Sequence, residues 1–145
     1  MSNIREIFEP TTGSFLSKRG VIKLPEGNTL SNKQRSFLDL AVKVAEASEV
    51  THRHGAVVVK AGKPVSLGIN KWRNRELLNT MVGYNPHLTV HAEVDALSRV
   101  ADARGATVFV ARVGKANEEK FSRPCDNCTK ALIAAGVKAV IYTVG

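Results

Sequence analysis

Apolar residues along this chain change their period several times, and each change marks an element. Phe37, Ala41, Val44, Ala45 and Ser48 recur on one helical face, and Ser31 followed by Gln34 fits a capping box, so a helix is predicted from Ser31 to about Val50. Gly55–Lys60 is a continuous β-branched run suited to a strand buried on both faces. After turn residues at Ala61–Pro64, Val65, Leu67 and Ile69 alternate with Ser66, Gly68 and Asn70, which predicts a second strand with one polar face, hairpinned to the first. His91–Arg104 reads as a helix with Val94, Leu97 and Ala101 towards the core and Gly105 at its C′ position. Thr107–Ala111 is a third strand, Gly114–Ser122 a polar loop, Pro124–Gly136 a helix with proline in its first turn, and Val137–Val144 a fourth strand. Strand, helix, strand in that order implies a parallel pair joined by a right-handed crossover.

Two stretches break the pattern. Residues 1–30 carry Pro10, Gly13, Gly20, Pro25 and Gly27 and read as an irregular arm, with Gly20–Leu24 as a candidate edge strand. Lys71–Val90 mixes basic and aromatic groups (Trp72, Arg73, Arg75, Tyr84, His87), and a connection of that length in a compact domain is often functional. The expected organisation is an α/β layer domain over residues 31–145 behind the arm at 1–30.

At 145 residues, with 43% apolar and 23% charged residues, the chain fits one ordinary globular domain with its own core. No apolar run is long enough to span a bilayer, and Met1–Pro10 lacks the apolar region of a secretory signal. A cytoplasmic location is expected, because the two cysteines have a better use than a disulfide. The formal charge of +8 suits phosphate-bearing partners as well as a solvated basic surface.

The chemistry concentrates in His91-Ala92-Glu93 and Pro124-Cys125-Asp126-Asn127-Cys128. One histidine and two thiolates supply three zinc ligands and leave a fourth position for water, as in catalytic rather than structural sites. A closed structural site would need a fourth ligand. No third cysteine exists, and His52 or His54 would have to serve. Cys125 and Cys128 share one face of a first helical turn, and His91 and Glu93 at a helix start can both reach a site beyond its end. Two positive helix N-termini would then favour thiolates and a bound anion.

H-x-E followed by P-C-x-x-C is the signature of zinc nucleobase deaminases. The chain resembles the cytidine and deoxycytidylate deaminase superfamily. That resemblance implies a three-layer α/β/α fold with a mixed sheet of four to five strands. It implies zinc held by His91, Cys125 and Cys128, with Glu93 as the catalytic proton carrier. It also implies that the backbone at Ala56, in Gly55-Ala56-Val57, faces the base, that Asn70 binds the sugar or base edge, and that the protein forms a homo-oligomer. Relatives usually continue with a further helix and a fifth strand where this sequence ends. Three possibilities follow for the last strand's outer edge: a four-stranded sheet, cover by the arm, or cover by a neighbouring subunit.

The functional reading is a zinc-dependent hydrolytic deaminase converting a cytosine-type nucleotide or nucleoside, of the deoxycytidylate kind, to its uracil form. An alternative keeps the chemistry but acts on nucleic acid, with the Trp72, Arg73 and Arg75 stretch as its strand-binding surface. A further alternative is a zinc-stabilised nucleic-acid-binding module without activity. His52 and His54 read as loop histidines or as phosphate contacts, and Lys18-Arg19 as a solvated pair.

Overall fold

Ser31 caps the first helix as its sequence implies. The Ser31 Oγ accepts from Gln34 N–H at 3.1 Å, and the Gln34 Oε1 accepts from Ser31 N–H at 3.0 Å. This is a computed structural model, and it describes residues 6–8, 21–23, 30–72 and 89–143. Strands β1 (Glu6–Phe8) and β2 (Val21–Lys23) precede α1 (Asn32–Ala45). The chain continues through β3 (Arg53–Lys60), β4 (Lys63–Ile69), β5 (Lys71–Trp72) and β6 (Thr89–Val90) into α2 (Ala92–Leu97). It ends with β7 (Thr107–Val113), β8 (Glu119–Lys120), α3 (Asp126–Ala134) and β9 (Ala139–Tyr142).

The body of the fold is a five-stranded mixed sheet in the order β1-β9-β7-β3-β4, with β2 beyond β1 and β8 alongside β7. β3 pairs antiparallel with both β4 and β7, while β7 and β9, joined through α3, run parallel as expected. Alternate residues of the central strands feed two cores. Ala56, Val58, Val108, Val110 and Val140 pack with Ala92, Ala96 and Leu132 beneath α2 and α3. Val57, Val59, Phe109 and Ile141 pack with Leu38 and Ala41 of α1. This two-faced burial is why Gly55–Lys60 lacks polar alternation. Among the described residues, no helix is long and apolar enough to cross a membrane.

The outer edge of β9 is covered from within the chain: Ile7 and Phe8 of β1 pair with Ile141 and Val140. The arm is therefore less irregular than its glycines and prolines imply, and β2, which falls within Gly20–Leu24, extends it by one more strand.

Several boundaries differ from expectation. α1 stops at Ala45 rather than near Val50, because Ser48 is drawn away to hydrogen-bond Asn70. The hairpin turn is tighter than Ala61–Pro64: Ala61 and Gly62 take φ of 54° and 77°, the double left-handed geometry of a two-residue hairpin loop. In β4 the polar face is the buried one, with Ser66 inside and Val65 and Leu67 nearly half exposed. The reason is the close approach of α2. A Cβ on Gly68 would overlap Ala92 O and Ala96 N, and the Ser66 hydroxyl donates to Ala96 O at 2.7 Å.

α2 itself is short and rotated. It ends at Leu97 rather than Arg104, with Ser98 as its C-cap, and Gly105 lies in a later turn with a φ of 75°. Ser98 turns its hydroxyl back to Asp95 O at 2.7 Å, and beyond it the bonds from Arg99 N–H to Ala96 O and Val100 N–H to Leu97 O span only three residues. The buried positions are Ala92, Glu93, Asp95 and Ala96, whereas Val94 is exposed. Two carboxylates thus point inward where Val94 and Ala101, both exposed, were expected, while Leu97 packs against the core as expected.

Candidate active site

Two helix starts meet at one end of the sheet. His91 is the N-cap of α2 and Cys125 the N-cap of α3, so Pro124 precedes the cap instead of occupying the first turn. The Cys125 Sγ accepts from Cys128 N–H at 3.5 Å, which closes that turn. His91 directs Nδ1 at both sulfurs, 3.0 Å from Cys128 Sγ and 3.5 Å from Cys125 Sγ. All three donor atoms lie within 4.8 Å of one another.

These residues fit zinc. A tetrahedron with zinc bond lengths has N–S edges of about 3.5 Å and S–S edges of about 3.8 Å, close to this spacing. The donor set is one imidazole and two thiols, and Cys128 is buried while His91 and Cys125 keep open surface. Burial, then the nearby Glu93 and Cys125, push the Cys128 thiol well above the ordinary range, so its thiolate needs a cation beside it.

Glu93 is buried at 4% exposure and hydrogen-bonds Cys128. Burial raises its pKa, opposed by a backbone hydrogen bond at its own position and by His91. It shares a cavity of about 240 Å³ with His91, Cys125, Asn70, His52, His54, Thr89 and Arg123. The ends of the long connection pair here, Lys71 with Val90 and Trp72 with Thr89, so that connection leaves and returns beside His91. Arg73, Arg75, Tyr84 and His87, singled out in the sequence, lie outside the described residues.

Asn70 lines the cavity, but most of its amide is committed to the protein. Its Oδ1 accepts from Ser48 Oγ at 2.6 Å and from His54 N–H at 2.8 Å, and its Nδ2 donates to His52 O. It thereby ties the segment before β3 to the end of β4. Ala56 is placed differently: it is fully buried against Ala92 and Ala96 and is not on the cavity wall. Its small side chain lets α2 lie close to the sheet. His54 donates Nδ1–H to His52 O at 2.9 Å, and burial lowers its pKa below the ordinary histidine value, aided by Arg112 and His91 and opposed by that hydrogen bond.

Two site features had no reading in the sequence. Arg123 sits on the cavity wall directly before Pro124, and its adjacency to the cysteine motif was the available signal. The other is a buried knot between Ser122 and Thr143. Ser122 Oγ lies 2.8 Å from Thr143 Oγ1 and donates to Val110 O at 2.9 Å, while Thr143 N–H donates back to Ser122 Oγ at 2.9 Å. Outside the cavity, Asp95 is buried against Lys71 Nζ at 2.8 Å, Arg99 Nη2 at 3.0 Å and Ile69 N–H at 3.1 Å. Burial opposes its ionisation, but these partners together outweigh it and hold the carboxyl below its usual range.

Residues 31–144 match the family described as the cytidine and deoxycytidylate deaminase zinc-binding region. Among solved structures, the apo dCMP deaminase from the cyanophage S-TIM5 is similar at 24% identity and a TM-score of 0.55, over 76% of this chain and 81% of that one. A mutant cytidine deaminase from Mycobacterium tuberculosis is similar at 17% identity and a TM-score of 0.51, over 79% and 85% of the respective chains. These likenesses concern the fold. No curated protein matches the sequence.

Proposed function

The chain belongs to the cytidine and deoxycytidylate deaminase family, whose zinc-binding region it carries, and from that premise we propose that it deaminates a cytosine-type nucleotide or nucleoside, most naturally deoxycytidylate, releasing ammonia. The observation that carries this reading is the shared cavity: a buried carboxyl, Glu93, beside a His91–Cys125–Cys128 donor set that stays open on one side. A structural zinc site would be closed by a fourth protein ligand, and no other histidine, cysteine or carboxylate joins these three among the described residues.

His91 through Nδ1, with the thiolates of Cys125 and Cys128, would hold the zinc. Bound zinc supplies Lewis acidity that makes water a nucleophile at neutral pH. Glu93 accepts a proton from the attacking water and delivers it to the ring nitrogen of the base, then takes the remaining hydroxyl proton of the adduct and passes it to the amine, which departs as ammonia as the carbonyl forms. Its burial keeps bulk water from competing for that proton. Asn70 holds the His52–His54 segment that forms one wall, with the free part of its amide available to a sugar or base edge. Ala56 acts below that wall, by allowing α2 to sit close. The half-exposed Val65 and Leu67 on edge strand β4 support assembly with further copies of the chain, which light scattering would refute by finding a monomer.

The test is ammonia release by zinc-loaded protein from deoxycytidylate, cytidylate, deoxycytidine, adenosine, a cytosine-containing single-stranded DNA and a tRNA anticodon stem. Turnover of a cytosine monomer that disappears in Glu93→Gln supports the proposal. Turnover confined to a polymer or to adenosine overturns the substrate, and silence throughout with zinc bound overturns catalysis.

A further inference from the structure

The cavity joins a buried carboxyl to a permanently charged cation, Arg123. Among its lining residues Glu93 and Asn70 are buried, whereas His52 is exposed and Arg123 half-buried. Glu93 is the only carboxylate among the described lining residues. Arg112 Nη2 lies 2.8 Å from His52 Nδ1, and since a guanidinium only donates, that nitrogen is the acceptor. His52 therefore carries its proton on Nε2 and offers an N–H donor.

The backbone on both sides of Arg123 is held. Ser122 is fixed by its N–H to Thr143 O at 2.9 Å and by its hydroxyl to Val110 O and Thr143, and Pro124 has a ring-locked φ and a buried position. The backbone of Arg123 is thus held two residues before Cys125, and its side chain lines the same cavity. A planar, permanently charged fork lining one cavity with an N–H donor matches the oxygens of a phosphate group, which it can bind bidentately.

We propose that Arg123, assisted by the Nε2–H of His52, binds the phosphomonoester of a mononucleotide whose base lies at the Glu93 end of the cavity. This rests on the cytosine-deaminase reading above and adds to it a residue that selects nucleotide over nucleoside.

The test compares kcat/KM for deoxycytidylate and deoxycytidine in wild-type protein, Arg123→Gln and Arg123→Lys, with zinc content and melting temperature recorded for each. The nucleotide-over-nucleoside ratio should fall about 10- to 100-fold in Arg123→Gln, the scale of a charge-assisted hydrogen-bonding group, with partial recovery in Arg123→Lys. The same ratio is read in calorimetric binding of the deaminated products deoxyuridylate and deoxyuridine. If Arg123→Gln fails to fold, inorganic phosphate should still compete with deoxyuridylate for the wild-type protein, and no competition would overturn the proposal. An unchanged ratio in Arg123→Gln would also overturn it, as would a short single-stranded oligonucleotide binding more tightly than the mononucleotide. Loss of the binding ratio with no ammonia from any cytosine substrate would uphold Arg123 as the phosphate residue and sink the deaminase reading instead. Turnover of deoxycytidylate and deoxycytidine at equal kcat/KM in the wild type would do the reverse.

Discussion

The Nδ1 of His91 stands 3.0 Å from the Sγ of Cys128, a residue 37 positions later in the chain. That contact joins the starts of α2 and α3, so removing zinc should loosen both. Dialysis against a chelator is expected to lower the melting temperature and abolish turnover, and added zinc should restore both. A metal present at a hundred times its Kd contributes about 2.7 kcal/mol of stability, which differential scanning calorimetry would resolve. His91→Ala or Cys128→Ser should leave a protein that chelation no longer destabilises.

Glu93→Gln should separate chemistry from metal binding. The amide keeps the shape of the buried side chain but cannot carry the proton, so turnover should fall by about a hundred- to ten-thousand-fold. Zinc content, measured by atomic absorption, should stay at the wild-type level.

Asp95 makes a prediction about pH. Its folded-state pKa lies below the ordinary aspartate value of 3.8, so its contribution to stability is complete above 3.8 and is lost as pH falls through the lower folded value. Asp95→Asn leaves the charges of Lys71 and Arg99 without their shared partner and should destabilise the protein at neutral pH by about 2–4 kcal/mol, somewhat less than for a fully buried pair because both cations are partly exposed. Urea titrations from neutral pH down to pH values below 3.8 should show the gap between variant and wild type narrowing. A constant gap would mean the ionised carboxylate is not what anchors α2.

Asn70→Ala should cost stability before it costs substrate affinity. It leaves the His54 N–H without its acceptor, at a cost of about 1–3 kcal/mol, and removes the donor to His52 O, while the Ser48 hydroxyl keeps only the backbone carbonyl of residue 70. Denaturant unfolding should therefore shift strongly, with residual activity at low temperature in the fraction that stays folded.

Gly68→Ala tests the approach of α2 to β4. The added methyl would meet Ala92 O and Ala96 N, both backbone atoms that cannot swing aside. A loss of at least about 1–3 kcal/mol is expected, together with weaker zinc binding because His91 is carried on the same helix. Wild-type stability in this variant would show that α2 has room the packing does not indicate.

Much of this protein is written locally. The Ser31–Gln34 cap, the strand at Gly55–Lys60, the α3 turn with Cys125 and Cys128, and the parallel pairing of β7 and β9 all follow from spacing and short-range sterics. The residues of the zinc motif were legible for the same reason, since ligands carried on two helix starts need only local geometry to face outward. What spacing could not decide was which face of an element meets which neighbour. In β4 and α2 polar positions turn inward, because Gly68 and Ser66 admit α2, and Asp95 finds Lys71 across the gap and Arg99 four residues along its own segment. Periodicity reports that an element has two faces and assumes the apolar one is buried. Satisfied hydrogen bonds and ion pairs, formed by residues distant in sequence, can reverse that assumption. The tertiary structure alone put Arg123 on the cavity wall and β1 against β9.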